Sequence, residues 1–347
     1  MPTLHKPAIF LPDNIITLEE TLDFAKKEFK NNPILEKALK LITNTGVKKR
    51  HLIQPIELSL QHPGFGYRNS VFELESKKHV PSVVIEALEN AHVKNSDISA
   101  IIYVSCSGFM MPSLTAWLIN KMGFNNNTVQ IPIAQLGCAA GGAAINRAHD
   151  FILAHPGANV LIVSCEFCSL SYQPTDNDIG SLLSDGLFGD AITAAVVTSE
   201  GGSGIDLQKN SSYLIPDTDE WIRYDVKDTG FHFRLDKRVP GTMEPLAPVM
   251  RELTKGHGWD IEELDYYIIH AGGPRILDDL CKYLRVKPEK FDFSRDTLVN
   301  CGNIASSVVF EAYRRMCEEN YITHGDKGII AGFGPGITAE MNLSLGK

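Results

Sequence analysis

Two intervals of nearly equal length constrain this chain more than any other feature. Cys106 and Cys138 lie 32 positions apart, and His270 and Asn303 lie 33 apart. In each case the first residue closes an apolar segment, SAIIYVSC or LDYYIIH, and the second precedes a helix-forming stretch, AAGGAAINRAHDFILAH or IASSVVFEAYRR. Short apolar runs read as buried strands, and 3.6-residue periodicity reads as helix. Setting Gly108 on Gly272 superposes the two series, and further units then fall into place. The first half runs PSVVIEALENAH (helix from Pro81 to His92), SAIIYVSC (strand), a helix near Ser113 to Met122, TVQIPIAQ (strand), the Ala/Gly-rich helix and NVLIVSC (strand). The second runs PVMRELTKGHG (helix), LDYYIIH (strand), RILDDLCKYL (helix), a segment through Asn303, the second capped helix and KGIIAGF (strand). Such alternation predicts an α/β protein with parallel βαβ units, built from two copies of one half. If the copies pack about a pseudo-twofold axis, Cys106, Cys138, His270 and Asn303 meet at the junction.

Those residue types suit acyl chemistry. The positive end of a following helix favours a Cys138 thiolate, but a helix terminus contributes only about 0.3–1 kcal/mol, too little to ionise an ordinary thiol at neutral pH. A thiolate/imidazolium pair with His270 would make up the difference, and the Asn303 amide can donate to an oxyanion or enolate. Each residue also has a plain structural reading, as a packed thiol, a satisfied core histidine and a helix cap. Their coincidence at equivalent positions favours chemistry.

The remaining features narrow the class. A chain of 347 residues with 44% hydrophobic content can bury a large core. The net charge of −9 and the absence of a sustained basic stripe argue against nucleic acid as the main partner. Without a signal-peptide pattern or a membrane-length apolar run, the expected location is the cytoplasm. Seven scattered cysteines predict free thiols, and the CEFC of Cys165 and Cys168 has no second ligand pair to complete a metal site. One basic cluster, Lys37, Lys40, Lys48, Lys49 and Arg50, lies in and after the helix ILEKALKLITNTG and reads as a solvated face. GFGPG, Gly332–Gly336, reads as a tight turn against substrate and not as a phosphate loop.

Several segments carry a resemblance: QLGCAAGG, SLLSDGLFGDAITAAVV, TGFHFRLDKRVPG, IIHAGGPRIL, CGNIASSVV and GFGPGITAE. Over nearly its whole length the chain resembles the type III polyketide synthases of the thiolase-fold superfamily. The resemblance implies a thiolase-like fold, layered αβαβα, with an N-terminal half over 1–204 and a C-terminal half over 205–347. It implies a catalytic triad of Cys138, His270 and Asn303 and gatekeepers Phe188 and Phe233. YVSCSGFMMPSLTAWLINKMGF, CEFCSLSYQPTD and DKRVPGTMEPLAP look like a bacterial branch that starts from malonyl-CoA, rather than the plant chalcone synthases. In that branch Cys106 and Tyr224 stand where chalcone-type enzymes have threonine and glycine, with Cys106 tied to handling the long chain and Tyr224 to starter choice. Cys168, Ser171 and Ala305 match other cavity positions, and Met111 matches a residue that reaches across a homodimer into the partner's cavity. Lys37 and Lys40 match CoA-binding positions, whereas Asn44 replaces a third lysine. The implied activity is iterative decarboxylative condensation of five malonyl-CoA units into a cyclised pentaketide, with no metal or other cofactor. The alternative within the family is an alkylpyrone or alkylresorcinol synthase using a fatty acyl starter. A degradative thiolase would want a second cysteine near GFGPG, and a CoA-binding scaffold would not need the triad.

Overall fold

The computed structural model describes residues 1–61 and 64–347. Ten strands form one mixed sheet: β1 (Thr3–Leu4), β2 (Ala8–Phe10), β3 (Ala100–Val104), β4 (Val129–Ile133), β5 (Asn159–Phe167), β6 (Asp190–Thr198), β7 (Ile205–Leu214), β8 (Tyr266–Ile269), β9 (Lys327–Gly334) and β10 (Thr338–Gly346). Their order is β8-β9-β10-β7-β1-β6-β5-β3-β4, with β2 also pairing with β6. In the first half β3 and β5 are parallel and β5 and β6 antiparallel. The second half repeats this: β8 and β9 are parallel, β9 and β10 antiparallel. β1 pairs with β6 on one side and β7 on the other, so the halves join edge to edge.

Side-chain alternation along the strands builds the layers. Ile101, Tyr103, Leu161 and Val163 face outward to the helices Phe65–Asn90 and Leu114–Met122. Ile102, Val104, Val160 and Ile162 face inward, onto a core shared with Tyr266, Ile268 and Ile330 from the second half. Between them lie the helices Ala140–Ala154 and Val308–Glu318. Tyr267, Ile269, Ile329 and Ala331 point the other way, to the helices Met243–Lys255 and Pro274–Leu284. The result is a five-layered αβαβα, thiolase-like arrangement. Strands buried on both faces are continuous apolar runs, which is why AIIYV could be read so directly. The central helices approach closely because Ala140–Ala154 is rich in small residues. A Cβ on Gly141 would lie 2.2 Å from Ser306 O, and one on Gly142 2.6 Å from Glu340 O.

One expectation changes, and two features had no sequence reading. The helix expected from Pro81 to His92 begins at Phe65, with Pro81 inside it, and ends at Asn90. The segment before Asn303, unassigned from the sequence, is a helix, Asp292–Cys301, whose buried residues Phe293, Ser294, Thr297, Leu298 and Cys301 recur at helical spacing. β4 therefore has no equivalent in the second half and forms a sheet edge. A separate hairpin, Ile222–Lys227 with Gly230–Leu235, is absent from the duplicated pattern and sets Tyr224 opposite Phe233.

Candidate active site

Three segments converge where the halves meet. Cys138 sits in a tight turn, Gly137–Ala139, between β4 and the helix Ala140–Ala154. Gly137 has φ 49°, and an added Cβ would lie 2.6 Å from Pro335, so only glycine fits. A Cβ on Gly334 would lie 2.4 Å from Ala139 N. GFGPG is thus a tight turn that packs against the turn carrying Cys138. His270 follows β8 directly, and its N–H donates to Ala331 O at 2.8 Å. Asn303 N–H donates to Leu187 O at 2.9 Å and Gly189 N–H donates to Asn303 O at 3.1 Å, binding it beside Phe188.

The three side chains come together as expected. His270 Nε2 lies 3.3 Å from Asn303 Oδ1, and the Asn303 carboxamide lies 4.0 Å from Cys138 Sγ. Ala305 N–H also donates to Oδ1 at 3.0 Å, which orients the amide and leaves its NH2 as the donor toward the sulfur. His270 and Asn303 are each 3% exposed. His270 Nδ1 has no hydrogen-bond partner among the described residues, so no carboxylate fixes one tautomer of the ring.

Electrostatics modify the ion-pair expectation. Burial pushes the Cys138 thiol up to about 12, with the Glu166 carboxylate adding to the rise, and burial pulls His270 down to about 4. Cys138 keeps some exposed surface, yet the groups packed round its sulfur desolvate a thiolate. Both groups are driven toward neutrality, because each charged form loses water without a fixed counter-charge in contact. Burial thus works against both charged forms of the expected thiolate/imidazolium pair.

Around these three side chains the two phenylalanines expected to form a gate approach from both halves. Phe188 ends the helix Ile179–Leu187, and its ring meets Phe233 edge to face at 5.3 Å. Tyr224 packs on Phe231 at 5.3 Å and Phe233 at 5.9 Å. Its phenol, raised by burial, lies near the thiols of Cys106, Cys168 and Cys138 and the Ser171 hydroxyl. Ser171 also donates to Cys168 O at 2.6 Å, and Ala305 is buried with φ 48°. The two CEFC thiols part company: Cys168 lines this pocket, while Cys165 lies 3.2 Å from Ser76 Oγ in the outer core. Met111, in contrast, is 88% exposed. Lys37 and Lys40 are exposed on the helix Leu35–Asn44. Arg50 is not part of that surface. It is 1% exposed and donates to Tyr172 Oη at 2.7 Å, to the carbonyls of Asp185 at 2.6 Å and Phe188 at 3.0 Å, and to Thr21 Oγ1 at 2.8 Å. Periodicity could not reveal this, since KKR reads as surface until the fold places a carbonyl cradle around its last residue.

Glu166 was also missed, although it lies inside CEFC, a motif read only for its sulfurs. It is fully buried and accepts from Cys106 N–H at 3.0 Å, Ser107 Oγ at 3.0 Å, the Ser306 hydroxyl and Cys106 Sγ at 3.5 Å. Burial raises its carboxyl while these donors pull it back. Its charge in turn raises Cys106 beyond the effect of burial itself.

This arrangement matches known proteins. Residues 8–201 match the N-terminal domain of the chalcone and stilbene synthases, and residues 206–345 match their C-terminal domain. The chain belongs to the chalcone and stilbene synthase family. It is a type III polyketide synthase, an acyltransferase with the thiolase-like fold. A 1,3,6,8-tetrahydroxynaphthalene synthase from Streptomyces coelicolor is 62% identical, covering 99% of this chain and 92% of that one. A phloroglucinol synthase from Pseudomonas fluorescens is 43% identical over 98% of each chain. The crystal structure of the tetrahydroxynaphthalene synthase from Streptomyces coelicolor, described as a bacterial type III polyketide synthase, matches with a TM-score of 0.98, 62% identity and 99% of each chain covered.

Proposed function

We propose that this synthase uses malonyl-CoA as both starter and extender, joins five malonyl units and cyclises the pentaketide to 1,3,6,8-tetrahydroxynaphthalene. The observation that carries this reading is Tyr224. Its ring packs on Phe231 and on Phe233, which in turn meets Phe188, and there it takes up space that a fatty acyl starter would require. The 62% identical relative of that name supports the product.

Cys138 attacks the malonyl thioester, passing its proton to His270 as the C–S bond forms. The ring returns that proton to the departing CoA sulfur. An extender malonyl-CoA then loses CO2, and its electron pair becomes an enolate whose oxygen accepts from His270 N–H and the Asn303 amide. The enolate carbon attacks the Cys138 thioester, forming a C–C bond and freeing the sulfur for reloading. An imidazole with a free Nδ1 can act as proton acceptor in one step and donor in the next. Phe188 and Phe233 exclude water from the enolate. Thiol, imidazole and amide supply every proton and charge needed, so the reaction runs without metal, flavin or nicotinamide. Lys37 and Lys40 meet CoA phosphates at the entrance.

The working form is a cytoplasmic homodimer. Support comes from the exposed edge strand β4 and from the exposed apolar side chains Phe109 and Met111, which a second copy would cover. No helix among the described residues is long and apolar enough to cross a membrane. The test is incubation with malonyl-CoA alone, followed by mass spectrometry. A pentaketide naphthol supports the proposal, and turnover only when a fatty acyl-CoA is added refutes it.

A further inference from the structure

The hairpin that carries Tyr224 and Phe233 belongs to the second half, yet it is held by the first. At its turn, Thr229 Oγ1 lies 2.7 Å from His232 Nε2, and His232 Nδ1 lies 2.8 Å from Asp176 Oδ2. His232 is 2% exposed and Asp176 8%. With Nδ1–H donating to the carboxylate, Nε2 accepts the Thr229 hydroxyl proton, so both ring nitrogens are used. Gln173, three residues before Asp176, donates from Nε2 to the carbonyls of Thr229 at 3.3 Å and Phe231 at 3.1 Å. Arg234 Nε donates to Asp225 Oδ2 at 2.9 Å, and its Nη1 donates to Asp178 Oδ2 at 2.8 Å. Asp178 caps the helix Ile179–Leu187 through Gly180 N and Ser181 N, and that helix ends at Phe188.

One short segment, Gln173 to Asp178, therefore anchors both gates: Phe188 through its helix, Phe233 and Tyr224 through the hairpin. In the hairpin register His232 is the immediate neighbour of Phe233 and stands opposite Asp225, next to Tyr224. An antiparallel pair moves as a unit, so the torsional freedom of the hairpin at its turn becomes displacement of the Tyr224 ring in the pocket.

We propose that the Thr229–His232–Asp176 relay is a clamp that positions Tyr224 and Phe233 and thereby sets the enzyme's discrimination between malonyl and longer acyl starters. This rests on the proposed role of Tyr224 in starter choice. His232 acts through Tyr224, as a positioning residue.

The test is competition between malonyl-CoA and hexanoyl-CoA in the purified protein, with products primed by each starter quantified by mass spectrometry. His232→Leu and Asp176→Ala should raise the hexanoyl-to-malonyl product ratio by about tenfold, the scale on which pocket shape discriminates between aliphatic groups. Asp176→Asn retains an acceptor for His232 Nδ1–H and should keep the wild-type ratio. In a Tyr224→Gly background His232→Leu should add nothing further, because clamp and side chain act on one event. An unchanged ratio in His232→Leu overturns the clamp, and so does full additivity with Tyr224→Gly. If His232→Leu shifts the ratio while Tyr224→Gly alone does not, the starter role of Tyr224 fails and the clamp acts through Phe233. Should His232→Leu not fold, Thr229→Val removes the other end of the relay with little change in volume and reads the same ratio.

Discussion

Replacing His270 by Gln separates a coupled thiol from an isolated one. In the native pair, moving the proton from Cys138 to the ring leaves the number of bound protons unchanged. Reactivity is then independent of pH between the ring, near about 4, and the thiol, at about 12. Below that window the ring takes a proton from solvent and can no longer accept one from sulfur, so reactivity falls. In His270→Gln the sulfur can ionise only by losing its proton to solvent. Because burial holds the thiol far above neutral pH, each unit of pH then raises the thiolate fraction by about tenfold, or about a hundredfold from pH 7 to pH 9. The assay is the second-order rate of iodoacetamide inactivation at fixed ionic strength, with modification assigned to Cys138 by peptide mass spectrometry. Wild type should vary less than about twofold over that range. A wild-type rate rising tenfold per unit, or a flat profile in His270→Gln, would falsify the coupling.

Three other outcomes follow from the same geometry. Cys138→Ala should show no malonyl-enzyme mass shift and no product, whereas His270→Ala and Asn303→Ala should slow malonyl-CoA decarboxylation by about 10²–10³-fold, measured as CO2 release. Unimpaired decarboxylation in both would remove the proposed enolate donors. Arg50→Met removes four hydrogen bonds beneath the gate and should cost about 2–4 kcal/mol in urea unfolding, a loss that a solvated arginine would not produce. Gly302→Ala forces a side chain at φ 72° to within 2.5 Å of Leu187 O, which displaces Asn303. Decarboxylation should fall and the urea-unfolding midpoint should drop with it, and normal turnover would show that the Asn303 anchor tolerates movement.

Much was legible in the chain itself. The doubled spacing of Cys106 to Cys138 and His270 to Asn303 reported two related halves, because buried parallel strands are written as unbroken apolar runs and the central helix Ala140–Ala154 as an Ala/Gly-rich one. The triad followed, since equivalent strand and helix ends meet at a pseudo-twofold junction, and the gates and Tyr224 followed from family resemblance. Tertiary structure alone decided the rest. Arg50 reads like its lysine neighbours until Asp185, Phe188 and Thr21 surround it. Glu166 looks like an ordinary charge until Ser107 and Ser306, from opposite halves, converge on it. Burial around Cys138 and His270 works against their charged forms, which residue type and spacing do not show, because they reveal which groups meet but not how much water remains between them. Desolvation and hydrogen-bond closure are sums over distant parts of the chain, so only the folded protein evaluates them.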